Sequence, residues 1–320
     1  MRGKDVPMRI GIDLGGTKIV GGLVDASGNV TGRTKIPTVA GSGYAGVLAD
    51  LASLVNEVIA KSGISRKAVE RIGIASAGQI EKYTQKIVFS PNLGWWDVPL
   101  KDDLERETGI AVMVENDVNA ATYGEWKFGL RQTPSHVLGV FVGTGIGGGL
   151  ILDGRIYRGF SNVGGEIGHM TLNPEGYRCH CGNRGCFEAY CGGSYIVERV
   201  RGRLREGYRG KVWGLTGGMI ELLNAGHIEQ AAMEGDELCN NLWAEVVEYM
   251  GAGLASLVNI LNPELVMLGG GVIFGSTGLM EDAAKAMERR VMPASAKGLR
   301  IEKVRLGEDA AIVGAAYMEE

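Results

Sequence analysis

Ile10-Gly11-Ile12-Asp13-Leu14-Gly15-Gly16-Thr17 and Leu138-Gly139-Val140-Phe141-Val142-Gly143-Thr144-Gly145 are the two stretches that decide the fold. Each belongs to a short apolar run, Met8–Ile12 in one case and His136–Val142 in the other, that breaks at a Gly/Thr turn. A second apolar run follows, Ile19–Val24 and Gly149–Leu152 respectively. The pattern reads as strand, tight turn and returning strand. Each returning strand then ends in an aspartate and a glycine turn, Asp25…Gly28 and Asp153-Gly154. The repetition predicts a duplicated α/β domain whose halves each offer a glycine turn to one ligand. Ligands of α/β folds lie at strand ends and in clefts between such halves.

Working outward, Val47–Lys61 carries apolar residues at Val47, Leu51, Leu54, Val55 and Val58, one face of a helix. Ile72–Ala75 and Ala111–Val114 read as strands, and Asp117 opens a helical stretch. Residues from Gly192 to about Leu261 read as mostly helical. Leu265–Leu268 is a strand ending in three glycines, and Ala310–Met318 is a closing helix.

Composition narrows the functional classes. The 320 residues suggest two domains. The 33 basic and 37 acidic side chains give a net charge of −4, without the clustered Lys/Arg of a nucleic-acid surface. With 45% hydrophobic residues the chain has ample core, so disorder is excluded. The 52 glycines follow no collagen period and belong in turns where backbone approaches something closely. No apolar h-region follows Met1–Pro7, and the longest uncharged stretch, Gln132–Leu152, is broken by Pro134, His136 and six glycines. The expectation is a cytoplasmic protein that engages neither membrane nor nucleic acid. Five cysteines, three of them between Cys179 and Cys186, point to metal or redox chemistry rather than a disulfide framework.

Five motifs carry chemistry. In Asp13-Leu14-Gly15-Gly16-Thr17-Lys18, glycines admit an anion to backbone N–H groups, Thr17 offers a hydroxyl, Lys18 a charge, and Asp13 a carboxylate for a hydrated divalent cation. Gly143–Gly149 holds five glycines in seven residues, a second candidate phosphate clamp, and Gly269-Gly270-Gly271 could lie against a nucleobase. In Glu115-Asn116-Asp117, at a strand end, Asp117 is either a general base for an alcohol oriented by Asn116 or simply a helix N-cap. His169-x9-Cys179-x-Cys181-x4-Cys186 supplies one nitrogen and three sulfurs, the set for a closed structural Zn²⁺ site, with His180 a weaker ligand candidate. Glu166 and Glu188 flank it, placed either to grip sugar hydroxyls or to sit solvated on the surface.

In this order the motifs resemble the ROK family of bacterial sugar kinases and repressors, from Asp13–Lys18 to the last helix. The marks are Glu115-Asn116-Asp117-Val118-Asn119-Ala120-Ala121, Gly143–Gly149, and Gly165-Glu166-Ile167-Gly168-His169 with Cys179–Glu188. The resemblance implies an actin-like ATPase (ribonuclease H-like) fold, duplicated, with the active-site cleft between two domains. The expected division is 1–116 with 305–320 as a small domain, and 117–304 as a large one carrying the zinc site and the helical region. It also implies Asp117 as general base and Gly78, Asn92, Asn116, Glu166, His169 and Glu188 as sugar-side residues. His169 would turn one ring nitrogen to zinc and the other to a sugar hydroxyl. MgATP would fall to Asp13, Gly15, Gly16, Thr17, Lys18, Gly143, Thr144, Gly145, Gly269 and Gly270, with zinc structural.

Pro91-Asn92-Leu93-Gly94-Trp95-Trp96-Asp97-Val98-Pro99-Leu100 looks like the ATP-dependent glucokinase subgroup. The retained cysteines are unlike the polyphosphate-dependent members. Two departures stand out: Tyr190-Cys191-Gly192-Gly193 replaces the usual Tyr-Ala-Ser-Gly, and Ser76-Ala77-Gly78-Gln79 lacks the usual proline. The expected activity is phosphorylation of the glucose 6-hydroxyl, with an N-acetylhexosamine, mannose or fructose kinase as the alternative. A repressor of the family would carry an N-terminal helix-turn-helix, for which the position of Asp13 leaves no room. The family also implies a homodimer or homotetramer.

Overall fold

The computed structural model describes residues 8–319. In chain order the first part comprises β1 (Met8–Leu14), β2 (Lys18–Val24), β3 (Val30–Pro37), α1 (Gly43–Ser62), β4 (Val69–Ser76), β5 (Gln79–Ile80), β6 (Ile87–Ser90), β7 (Trp95–Val98), α2 (Leu100–Thr108), β8 (Ala111–Asn116) and α3 (Asp117–Gly124). The second comprises β9 (Val137–Val142), β10 (Ile146–Leu152), β11 (Arg155–Ile156), α4 (Phe187–Cys191), α5 (Gly193–Arg205), α6 (Lys211–Leu215), α7 (Ala225–Met233) and α8 (Glu237–Leu261). The chain closes with β12 (Leu265–Gly269), α9 (Gly271–Gly275), α10 (Leu279–Glu288), α11 (Pro293–Ala296), β13 (Arg300–Lys303) and α12 (Asp309–Tyr317).

Alternation along β1 sets the first unit. Ile10, Ile12 and Leu14 join Ile72, Ile74, Val112 and Val114 in a core against Leu51, Leu54, Val55 and Val58 of α1. Gly11 and Asp13 alternate to the opposite face. There α12 lies so close that a Cβ on Gly11 would collide with the carbonyl of Ile312, and one on Gly73 with that of Ala315. α3 packs on α12 in the same manner, Gly124 against Ala310 and Gly314 against Ala120. Glycine thus brings α12 onto the strands that carry Asp13.

The first sheet runs β3-β2-β1-β4-β8 and the second β11-β10-β9-β12-β13. In both, an antiparallel strand joins an edge hairpin and two parallel strands follow on the other side. The repeated order is the duplication expected from the two hairpins. A small separate sheet, β5-β6-β7, follows β4.

One unit takes the residues up to 135, then 149–165, then from 304; the other takes 136–148 and 166–303. The division differs from 1–116 with 305–320 against 117–304. α3 and the residues 149–165 go with the first unit, α3 because its glycine contact with α12 binds it there. The region from Gly192 to Leu261 is largely helical, as expected. α1 and α8 are long and apolar enough to cross a membrane. Yet Leu51 and Leu54 in one, and Val246, Met250 and Leu254 in the other, are buried within their own units.

Candidate active site

In the first unit, Asp13 lies on the α12 side of the sheet. Its carboxyl is pushed up to about 6, first by burial and then by the neighbouring charge of Asp117, with Lys18 opposing the shift. Lys18 does not stand alone: its Nζ is 2.9 Å from Glu308, beside the start of α12, and Arg33 pairs with both Glu308 and Asp309. The turn between β1 and β2 is tightly tied. The Gly15 N–H donates to the Lys18 carbonyl at 3.0 Å, and the Thr38 hydroxyl donates to the Gly15 carbonyl at 2.7 Å. A Cβ on Gly16 would sit 3.1 Å from Asn92, so Asn92 borders the loop of Gly15, Gly16 and Thr17.

β4 and β8 run parallel with Ser76 opposite Asn116, which brings Gly78 to the β8–α3 junction. Gly78 has φ +130, a conformation side chains avoid. Although the proline is missing, this loop is pinned. Ser90 Oγ donates to the Ala77 carbonyl at 2.7 Å, and Asn116 Nδ2 donates to the Gly78 carbonyl at 3.2 Å. The Asn116 Oδ1 accepts from the N–H groups of Val118 and Asn119 at 3.0 and 3.1 Å. Asn116 is therefore the N-cap of α3, and Asp117 is its first helical residue, half-buried. The N-cap position belongs to Asn116, and Asp117 shares the Val118 N–H through its Oδ1 at 3.0 Å.

β10 begins at Ile146 in the second unit, with Gly149 onward in the first, so Gly147–Gly149 are strand residues and the turn shrinks to Gly143-Thr144-Gly145. One of the strand glycines has a packing reason: a Cβ on Gly149 would collide with the Thr122 hydroxyl. The turn is held from α4 and α5. Glu188 accepts from the Ile146 N–H at 2.8 Å, Gly193 N–H donates to the Gly143 carbonyl at 2.9 Å, and Ser194 donates to the Thr144 carbonyl from its N–H and hydroxyl at 3.0 and 2.8 Å. Glu188 is thus half-buried and engaged rather than solvated, whereas Glu166 is exposed. Gly269 ends β12; Gly270, at φ +91, backs onto Val142 so tightly that a Cβ would collide with its carbonyl. Gly143, Gly193 and Gly270 consequently gather at the end of β9.

A ring nitrogen of His169 and the sulfurs of Cys179, Cys181 and Cys186 lie within 4.8 Å of one another. The Cys181–Cys186 and Cys179–His169 separations are both 3.7 Å. A tetrahedral zinc with bonds of about 2.3 Å to sulfur places its ligands about 3.8 Å apart, so the donor set fits. His180 stays outside the cluster and lies tilted against Tyr195, ring centroids 4.8 Å apart. Cys191 and Cys239 are fully buried core residues. Cys186 is also the N-cap residue of α4, which Phe187 anchors on α8 at Gly253. The ligand cluster therefore adjoins the short helix that delivers Glu188.

Sequence reasoning missed Glu308, Ser194 and the Glu115–Arg158 pair. Gly192-Gly193-Ser194 before a helical run was a readable helix start. The other partners are joined only by long-range packing.

A model of the ROK family matches residues 9–320. The glucokinase of Streptomyces coelicolor is 33% identical over 312 residues, covering 97% of this chain and 96% of its own. The xylose repressor of Caldicellulosiruptor bescii is 31% identical over 98% of this chain and 78% of its own. Among solved structures, a ROK family glucokinase from Streptomyces griseus, in complex with glucose and AMPPNP, matches with a TM-score of 0.82 at 33% identity, covering 97% of this chain and 98% of that one. From the first hairpin to the last helix, the chain belongs to the ROK family and has its actin-like ATPase fold.

Proposed function

We propose that the acceptor of this ATP-dependent sugar kinase is the 6-hydroxyl of glucose, deprotonated by Asp117 as its oxygen attacks the γ-phosphorus of ATP. The observation that carries the reading is the division of labour at the β8–α3 junction. Asn116 is the N-cap residue and fixes Gly78, while the Asp117 carboxylate, whose Oδ1 accepts from the Val118 N–H at 3.0 Å, stands beside Asp13. The same reading assigns the sugar to Gly78, Asn92, Asn116, Glu166, His169 and Glu188. Glucose is favoured by the Pro91–Leu100 stretch and by the glucokinases among the relatives.

The nucleotide is assigned to Asp13, Gly15, Gly16, Thr17 and Lys18 and to Gly143, Thr144, Gly145, Gly269 and Gly270. Asp13 with Asp117 beside it suits a divalent cation held through water. Mg²⁺ bound with ATP neutralises phosphate charge. His169, Cys179, Cys181 and Cys186 would hold a zinc that cross-links the loop between Glu166 and Glu188, with one His169 ring nitrogen left for a sugar hydroxyl. A cytoplasmic homodimer or homotetramer belongs to the same reading.

The test is ADP release with glucose, mannose, fructose, N-acetylglucosamine and N-acetylmannosamine, on wild type and Asp117→Asn. Glucose should give the highest kcat/KM, and Asp117→Asn should lose about 10²-fold or more in turnover while still binding sugar. Preference for an N-acetyl sugar would keep the mechanism and overturn the acceptor. No turnover with any sugar would make the chain a sugar sensor, in line with its repressor relative. Near-normal turnover of Asp117→Asn would refute the base.

A further inference from the structure

Glu115, the residue before the end of β8, has only 3% of its surface exposed, and the chemistry above gives it no task. Its carboxylate is nonetheless ringed by donors. Oε1 accepts from the Asn116 N–H at 2.9 Å and from Asn119 Nδ2 at 3.2 Å; Oε2 accepts from Arg158 Nε at 2.7 Å. Arg158 is itself fixed, its Nη2 donating to the Glu319 carbonyl at 2.7 Å. Removing one partner of a buried ion pair leaves an uncompensated charge. The two Oε1 bonds grip the turn on both sides of Asp117: the residue before it, and a side chain half a turn after it. The same Asn116 caps α3 and holds Gly78.

We propose that the Glu115–Arg158 pair is a positioning device for the general base. It fixes the setting of the Asn116–Asn119 turn, and hence where the Asp117 carboxylate stands against the acceptor hydroxyl. Arg158 cancels the Glu115 charge two residues from Asp117. The inference rests on Asp117 being the base.

Misplacing a reacting group by about 1 Å costs on the order of 10²-fold in rate. Glu115→Ala should therefore lower kcat roughly 10- to 100-fold with the KM for ATP unchanged, and Glu115→Gln, which keeps an acceptor for the Asn116 N–H, should recover most of it. Arg158→Met should be worse than Glu115→Gln, because it strands a buried carboxylate, and the double variant Glu115→Gln/Arg158→Met should regain turnover over Arg158→Met alone. Melting temperatures and Asp117→Asn are measured alongside. If Glu115→Ala or Arg158→Met fails to fold, Glu115→Gln and Arg158→Lys decide by the same split of kcat from KM. Variants that melt earlier but turn over at the wild-type rate would make the pair structural and overturn the proposal, with the base intact if Asp117→Asn is inactive. An active Asp117→Asn would overturn the base itself.

Discussion

The β1–β2 and β9–β10 hairpins occupy the same place in two sheets of the same order, yet their turns are made of different material. The first is ionic: Asp13 precedes the turn and Lys18 follows it, with Glu308, Arg33 and Asp309 around them. The second, Gly143-Thr144-Gly145, holds no ionisable residue, and the carboxylate that reaches it arrives from α4 as Glu188. The duplicated scaffold supplies the geometry twice, and the charges are what distinguish the copies. A turn that exchanges cations and protons needs side chains, whereas a turn that cradles an anion needs exposed backbone N–H groups.

The contrast breaks most readily at Gly145. A Cβ there would collide with Glu188 Oε2, while one on Gly143 meets nothing within 4 Å. Gly145→Ala should expel Glu188 from the Ile146 N–H, move the turn, and cost about 10²-fold in kcat/KM for ATP. Gly143→Ala should cost far less. If both lose equally in steady-state kinetics, then phosphate access, and not the Glu188 lock, is what demands glycine in this turn.

Cys181→Ser comes next in size. It removes one of four ligands from the cluster beside α4, and so loosens Glu188 at its base. Bound zinc should fall from about one equivalent, and the KM for glucose should rise about tenfold or more. Because Glu188 also holds the β9–β10 turn, the KM for ATP should rise with it, whereas the melting of the first unit should hardly move. Elemental analysis and paired KM measurements check this; chelated protein with both KM values unchanged would separate the metal from the turn.

Those features were legible to different depths. The hairpins, α1, α12 and the clustering of His169, Cys179, Cys181 and Cys186 follow from periodicity and spacing within a few tens of residues, where sequence carries its strongest signal. The extent of the Gly143–Gly149 loop did not, because the reason for glycine at 149 is Thr122, a residue on another element. Choosing between Asn116 and Asp117 as cap was equally closed to sequence. Both residue types cap well, and the decision is made by the Gly78 carbonyl 38 positions away. Lys18 read as a charge for phosphate, while its partner Glu308 is 290 residues distant. The packing of α3, beyond the expected boundary at 116, on α12 through Gly124 and Gly314 was hidden for a similar reason. Local chemistry was readable; the partner that fixes its use was not.

The smallest effect, and the one that isolates the ionic character of the first hairpin, is the pH dependence of its stability. Asp13 titrates at about 6 in the fold against 3.8 ordinarily, so the folded chain binds its proton more tightly than the unfolded chain. The stability this contributes is fully present below the ordinary value and is lost as pH rises through the folded one. Asp13→Asn removes that dependence. It should melt higher than wild type at pH 7, by roughly 2–4 °C for each kcal/mol relieved, and the gap should close as pH falls towards 4. Thr144→Ala in the second hairpin alters no ionisable group, so its offset from wild type should stay constant across the same range. Thermal melts of the nucleotide-free protein between pH 4 and 8 make the comparison directly. A constant offset for Asp13→Asn as well would mean that the first turn does not strain its carboxylate, and the two hairpins would then differ in sequence without differing in electrostatic design.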